Sequence, residues 1–423
     1  MDTALYARWF RDSTPYIRAH RDKTFVVMLG GDAIESPNII NTMHDLALLN
    51  VLGIRIVIVF GPMETPDRAP DAETMRAVSA GVGALRSQLE AMLSTGLPSS
   101  PLRNSRITLV SGNFVSARPQ GVIDGVDQMF AGVPRRIDGA VIHKLLEDRN
   151  IVLVPPVGYS TAGEAYLLDA ENLAAETAIA LGADKLLVYD RLAQINGYSD
   201  IKPDELTAML DATSFPPPTR ARIEALLKAS RHAVPRCHLI SFEMDGAILT
   251  ELFTAEGVGT QVSEQDYRTI RQARTDDVAG VIELIRPLER DGSLVRRPRD
   301  RLEQEIEKFW VAELDGILIG CCALYGHGGD YCELACVATH PSHRRTVNGE
   351  SLGQALLKRA EQEVVTRGIH NLFVLTTQAE DWFADNGFKR ANVADLPANK
   401  QALYNYQRNS KVMIKQPGKK DGR

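Results

Sequence analysis

The stretch from Tyr331 to Arg367 constrains the fold of this 423-residue chain more than any other. Tyr331-Cys-Glu-Leu-Ala-Cys-Val337 is short, apolar and strand-favouring, so it reads as a buried strand. Pro341 breaks that strand, and a polar loop follows, leading to Gly349. Leu352, Leu356, Leu357, Ala360 and Val364 then recur at helical spacing. A strand, a polar loop with glycine and a helix N-terminus together aim several backbone N–H groups at one point, where a phosphate can be held. The same order of elements also describes an ordinary strand–helix connection.

A chain of this length predicts two or three domains. Its net charge of -6 argues against non-specific nucleic-acid binding. The N-terminus lacks a basic region followed by an apolar run, so no signal peptide is expected. No apolar segment approaches the ~20 residues that span a bilayer. Five cysteines, an odd count, fit a reducing cytoplasm better than a disulfide framework, and the expected location is cytoplasmic. Cys332, Cys336 and His340 are spaced four apart, but neither cysteine has a CxxC partner. Regular alternation would put Cys332 and Cys336 on one strand face as core residues, and no metal is expected. Cys321 and Cys322 would fill the core on opposite faces.

The N-terminal half alternates strands and helices. Residues 5 to 22 form a helix or helix pair, with Pro15 starting a new turn. Thr24-Phe-Val-Val-Met28-Leu-Gly30-Gly31 is a buried strand ending in a double-glycine turn, and a helix then runs to Leu52. Further strands fall near residues 54–60, 107–110, 151–154, 185–189 and 237–242, with helices near 170–181 and 247–253. Near-continuous β-branched strands separated by helices predict an α/β fold with a parallel sheet covered on both sides. In the C-terminal half, residues 268–274 alternate as a strand, and Thr275-Asp-Asp277 can cap a helix from Val278. Asp315-Gly316 signals a hairpin.

The loop Thr346-Val-Asn348-Gly349-Glu-Ser351 resembles the acetyl-coenzyme A loop of GNAT acetyltransferases, with Thr and Ser at the outer positions of the usual Gln/Arg-x-x-Gly-x-Gly/Ala pattern. The segments GxxCELACVATHP, LFVLTTQAEDWFADNGF and LYNYQRNSKVM resemble the bacterial N-acetylglutamate synthases, over nearly the whole chain. The N-terminal half resembles that family's amino-acid-kinase domain. The resemblance implies a three-layer amino-acid-kinase-like regulatory domain over residues 1–262, a linker at 263–267, a GNAT domain over 268–415 and a basic tail at 416–423.

The related kinases carry a lysine just before the double glycine, where this chain has Met28. Methionine cannot stabilise a transferring phosphoryl group. The kinase aspartate appears as Glu171, and the second phosphate-binding lysine has no convincing match. The segment between Gly61 and Arg86 is shorter than in the family. These departures imply a non-catalytic half that keeps an amino-acid pocket. The segment CHLISFEMDGAILTELFTAEGVGTQV implies that the occupant is L-arginine, with His238, Glu251 and Gly257 lining the site and Tyr16 closing it. Glu251 is expected to pair the guanidinium, while a structural hydrogen bond is the alternative for Glu251 and His238.

For the C-terminal half the resemblance implies transfer of acetyl from acetyl-CoA to the amine of L-glutamate, the first step of arginine biosynthesis, with feedback inhibition by L-arginine. Arg344, Arg345, Asn348, Gly349, Ser351 and Leu352 would hold the pyrophosphate, and Cys336 and Val337 would offer main-chain groups to the pantetheine arm and acetyl carbonyl. Glu333 is the candidate base, with a structural carboxylate as the rival reading, and Thr376 would assist the leaving sulfur. Arg296 or Arg297, together with Arg408 and Ser410, would bind the two carboxylates. A homo-oligomer, possibly a hexamer, is expected, with no nucleic-acid or membrane partner. Two rivals stay open: an acetyltransferase for another amine, and a non-catalytic arginine- or CoA-binding regulator.

Overall fold

The computed structural model describes residues 3–62, 69–94, 107–254, 257–264, 269–314, 317–341, 351–405, 408 and 410–417. The chain divides into two compact units, Met1–Gln265 and Asp266–Arg423. No helix among the described residues is long and apolar enough to cross a membrane.

In the first unit, eight strands form one sheet in the order Asp200–Ile201, Thr260–Val262, Arg236–Ser241, Lys185–Asp190, Thr24–Leu29, Arg55–Phe60, Ile151–Val154 and Leu109–Ser111. Every neighbouring pair is parallel except Arg236–Ser241 with Thr260–Val262. Successive side chains of these unbroken apolar strands supply two different cores. Val26, Met28, Val57, Val59 and Val188 meet Leu173, Ala174 and Ile223 on one face. Phe25, Val27, Ile56 and Ile58 meet Met43, Leu46 and Leu89 on the other. Both faces are therefore covered, as continuous strand hydrophobicity requires. Four further strands, Val115–Pro119, Ala131–Ile137, Val157–Tyr159 and Ala165–Leu168, close into a small barrel. The N-terminal helix is a single element, Thr3–His20, with Pro15 inside it rather than at a new start. Proline removes one backbone donor but is here accommodated within the helix.

In the second unit a seven-stranded sheet runs Thr269–Gln272, Phe309–Leu314, Ile317–Gly326, Tyr331–Thr339, Asn371–Thr376, Lys411–Lys415 and Lys389–Ala391. The helix Leu352–Thr366 buries Leu352, Leu356, Leu357, Ala360 and Val364 against one face, the five positions its periodicity marks. Ser351 caps it: its hydroxyl accepts from Gln354 N–H at 3.2 Å, and Gln354 returns a bond to Ser351 N–H at 2.8 Å. The helix Val278–Arg290 covers the other face through Val278, Val281, Leu284 and Ile285. Its start differs from expectation. Thr275–Asp277 is a 3₁₀ turn, and the Asp277 carboxylate binds Arg271 and Arg274 N–H instead of capping the helix.

The decisive irregularity lies in Tyr331–Thr339. Against its antiparallel neighbour, Ala323 pairs with Ala335 but Cys321 pairs with Ala338, so this strand carries one extra residue. Cys336 sits there with φ +51, left-handed for a non-glycine residue. The bulge inverts the alternation. Cys332 and Leu334 point to the Leu352–Thr366 face, whereas Cys336 and Ala338 point to the Val278–Arg290 face. Cys332 and Cys336 therefore lie on opposite faces, contrary to the simple period-two reading. Cys321 and Cys322 do fill opposite cores.

Leu356 is fully buried against this sheet. Its replacement by alanine is expected to lower the stability of the second unit by about 2–5 kcal/mol, read as an earlier urea transition of that unit.

Candidate active site

The bulge opens the sheet. Tyr331–Thr339 and Asn371–Thr376 are parallel register partners only at Tyr331–Asn371, Cys332–Leu372 and Glu333–Phe373. Beyond Glu333 the two strands are no longer register partners, so main-chain groups around Cys336 and Val337 are released from ladder pairing on that side. This gap lies between the faces that carry the two helices.

Glu333 is buried at the mouth of this gap. Its Oε2 takes His327 Nε2 at 2.9 Å, and Lys400 Nζ lies 2.8 Å from Oε1 and 2.7 Å from Oε2. The carboxylate is thus held in an ion pair, not isolated in an apolar pocket. An ionised carboxylate has roughly four acceptor positions, so room remains for one further donor. Thr376 ends the neighbouring strand, and its hydroxyl accepts from Ala379 N–H at 2.9 Å. The hydroxyl proton is left to donate elsewhere. Burial pushes the Cys336 thiol up to about 11, with Arg297 pulling in the opposite direction, so it is a neutral thiol rather than a nucleophile.

Arg296 and Arg297 separate cleanly. Arg296 is exposed, whereas Arg297 is half-buried with its guanidinium 6.0 Å from the Tyr325 ring centroid. Burial works against the Arg297 charge, but Cys336, Tyr325 and Glu333 around it hold its pKa above the ordinary value. Arg408 reaches from the far end of the chain to donate to Gly292 O at 3.0 Å and Ser293 O at 2.6 Å. Ser293 in turn donates to Gln378, just beyond Thr376. Ser410, also buried, immediately precedes Lys411, the register partner of Thr376. The segments carrying Arg297, Thr376, Arg408 and Ser410 therefore converge. Among the described residues, only three buried side-chain nitrogen or oxygen atoms have no hydrogen-bond partner: Arg297 Nε, Arg408 Nε and Arg222 Nε. An orphaned buried donor is costly and points to an acceptor that the protein itself does not supply.

Ser351 and Leu352 stand at the N-terminus of the Leu352–Thr366 helix. Arg344, Arg345, Asn348 and Gly349 lie outside the described residues. The Ser351 hydroxyl is engaged as the cap, and a Cβ on Gly353 would come within 3.1 Å of the Trp382 ring. A side chain there would need the Trp382 ring to give way by a few tenths of an ångström.

In the first unit, His238 Nδ1 is 2.7 Å from Glu251 Oε1, and Glu251 Oε2 accepts from Val258 and Gly259 N–H at 2.8 Å each. Burial, reinforced by Lys185, pushes His238 down to about 4. Burial opposes ionisation of Glu251, but the His238 bond and the backbone donors keep its carboxyl below the usual range. Gly257, at φ +60, packs on that carboxylate, where a Cβ would sit 2.6 Å from Oε2. Glu251 thus accepts from three internal donors, which leaves about one of its roughly four acceptor positions, and it shapes the Gly257–Gly259 turn. The N-terminal helix packs on Ala247–Phe253, and Tyr16 joins the same core.

The double-glycine turn borders a cavity of about 730 Å³ lined by Gly30, Gly31, Asp32, Glu171 and Arg222. Met28 is fully buried in the sheet core and offers no charge there. Arg222 was not foreseen. It binds Asp32 and, at 2.9 Å, Asp190, and its Nε lies 3.6 Å from Glu171. A Cβ on Gly30 would collide with its guanidinium. Burial, then Asp169, raises Glu171 to about 7. The available sequence signal was a basic residue on the buried stripe of Arg222, Ile223, Leu226 and Ala229. Lys400 and His327 had no such signal, lying 67 and 6 residues from Glu333 on separate elements.

Comparison with known proteins agrees with this architecture. Residues 23–200 match the amino acid kinase family, and residues 305–390 match the acetyltransferase (GNAT) domain. The amino-acid acetyltransferase of Pseudomonas fluorescens (strain SBW25) is 43% identical, covering 97% of this chain and 99% of the relative. That of Ectopseudomonas mendocina (strain ymp) is 44% identical over the same shares. The crystal structure of N-acetylglutamate synthase from Neisseria gonorrhoeae complexed with coenzyme A and L-arginine superposes with a TM-score of 0.81 at 32% identity, covering 98% of this chain and 100% of that one. With an amino-acid-kinase-like unit, a GNAT unit and this end-to-end similarity, the chain belongs to the amino-acid acetyltransferase family.

Proposed function

We propose that this acetyltransferase moves the acetyl group of acetyl-CoA to the α-amino group of L-glutamate, and that L-arginine regulates it through the first unit. The observation that carries the acceptor assignment is the pair of buried, unpartnered guanidinium N–H groups on Arg297 and Arg408. An acceptor with two carboxylates supplies an anion for each, and Ser410 adds a hydroxyl. The Neisseria gonorrhoeae synthase has also been solved with coenzyme A and N-acetyl-glutamate, and at 33% identity it supports the same acceptor here.

The chemistry follows from the groups around the gap. Glu333 takes a proton from the glutamate ammonium, directly or through water, and the freed nitrogen lone pair attacks the thioester carbonyl carbon. Main-chain donors at the Cys336–Val337 bulge face the developing oxyanion. The carbonyl then re-forms as the C–S bond breaks, the nitrogen gives up its second proton, which the departing thiolate takes, and the Thr376 hydroxyl hydrogen-bonds that sulfur. A thiol of pKa about 8.5 needs only that assistance. The N-terminus of the Leu352–Thr366 helix, with Arg344, Arg345, Asn348 and Gly349 just before it in sequence, would hold the pyrophosphate.

Regulation rests on the His238–Glu251–Gly257 cluster under the N-terminal helix. Arginine binds beside the Gly257–Gly259 turn, where Glu251 fixes the turn and keeps about one acceptor position for the guanidinium. The structure from Neisseria gonorrhoeae with L-arginine supports an arginine effector in this family.

Three outcomes test this reading. In a thiol-release assay across the common amino acids, glutamate is expected to be the preferred acceptor; equal turnover with a monocarboxylic amino acid would remove the dicarboxylate assignment. Arg297→Ala is expected to raise the KM for glutamate about 10- to 100-fold, the equivalent of a lost charge-assisted bond, while Arg296→Ala leaves it nearly unchanged. Glu251→Ala should keep the uninhibited rate and blunt inhibition by arginine, measured as the arginine concentration giving half-maximal rate.

A further inference from the structure

We propose that Lys400 and His327 are positioning residues for Glu333, a two-sided clamp that aims its carboxylate into the gap between Tyr331–Thr339 and Asn371–Thr376. The proposal rests on Glu333 as the acceptor of the ammonium proton and assigns the groups through which that residue is held.

The geometry is specific. Lys400 comes from the short helix Ala398–Gln401 and reaches both carboxylate oxygens, at 2.8 and 2.7 Å. His327 follows the strand Ile317–Gly326 and meets Oε2 at 2.9 Å. With Glu333 ionised, Nε2 of His327 carries the proton and donates it. The clamp is itself braced. The His327 ring stands 5.4 Å from that of Phe373, the register partner of Glu333, and Asn399 Nδ2 donates to His327 O at 3.3 Å. The residue before Lys400 thus holds the backbone of the other jaw.

The remaining neighbours leave this role to the pair. Tyr325, opposite Glu333 on the antiparallel strand, gives its hydroxyl to Glu305. Cys336 is a neutral thiol. Arg297 feels the charge of Glu333, but no hydrogen bond links them, and its Nε is the donor assigned to substrate. Lys400 and His327 together occupy three of about four acceptor positions, which turns the remaining one toward the gap. A base held by donors on two separate elements loses little orientation when substrate arrives, and misplacement by about 1 Å costs on the order of a hundredfold in rate.

A double-mutant cycle separates the clamp from the base it holds. Lys400→Met is expected to lower kcat by about 10- to 100-fold, with the KM values for glutamate and acetyl-CoA nearly unchanged, and Lys400→Arg to recover most of the loss. His327→Phe should lower kcat in the same direction by a smaller factor. Because Lys400 acts through Glu333, the pair Glu333→Gln with Lys400→Met should be no slower than Glu333→Gln alone. That double variant buries no unpaired charge, so it remains informative if Lys400→Met folds poorly, which thermal unfolding of each variant reports. A double variant slower than Glu333→Gln by the full Lys400 factor would overturn the clamp, as would wild-type kcat in Lys400→Met. Wild-type kcat in Glu333→Gln would instead remove the base assignment, and the clamp with it.

Discussion

One left-handed residue, Cys336, shapes the acetyltransferase unit. It adds a residue to a central strand, reverses which side chains face which helix, and ends the parallel pairing at Glu333 and Phe373. Holding a β-carbon in that region costs on the order of 1–3 kcal/mol, and such strain persists only where the surroundings over-determine it. The surroundings here are close-packed: Cys336 is 2% exposed and lies among Val281, Ile285 and Phe309. The local cost produces a gap in a continuous sheet with main-chain groups exposed along it. Glu333 lies before the gap, the capped helix follows it in sequence, and the charge of Arg297 acts on Cys336.

The two units treat buried arginine differently, and the difference tracks their chemistry. Arg222 in the kinase-like unit is surrounded by Asp32, Asp190 and Glu171, and its guanidinium lies over the glycine turn where an anion would otherwise approach. Met28, buried in the core, adds no charge to that turn. Arg297 and Arg408 are held by carbonyls and an aromatic ring, and among the described residues no carboxylate hydrogen-bonds to either guanidinium. Their positive charge remains available to an incoming anion.

Much of the fold was legible because its signals are local. The stripe of Leu352, Leu356, Leu357, Ala360 and Val364 and the unbroken strands of the first sheet report burial directly through their period. The same logic failed at Cys332 and Cys336, since a single inserted residue reverses every later position and leaves no trace in the alternation. It failed also at Asp277, a residue type that suits a cap but was taken by Arg271. Glu333 could be named from its strand and its resemblance, yet the strand said nothing of Lys400 or His327.

By itself the sequence determined the central strands of the first sheet, the Leu352–Thr366 helix and the two-part organisation, because hydrophobic period is a property of short segments, while the small barrel left no such mark. Tertiary structure alone decided which of Arg296 and Arg297 turns inward, that Glu251 takes three donors from its own neighbours, and that Arg222 lies over the glycine turn. Each of these depends on contacts between residues distant in the chain. Such contacts are fixed by packing and by the need to pair buried charges, and neither is written in the spacing of one segment.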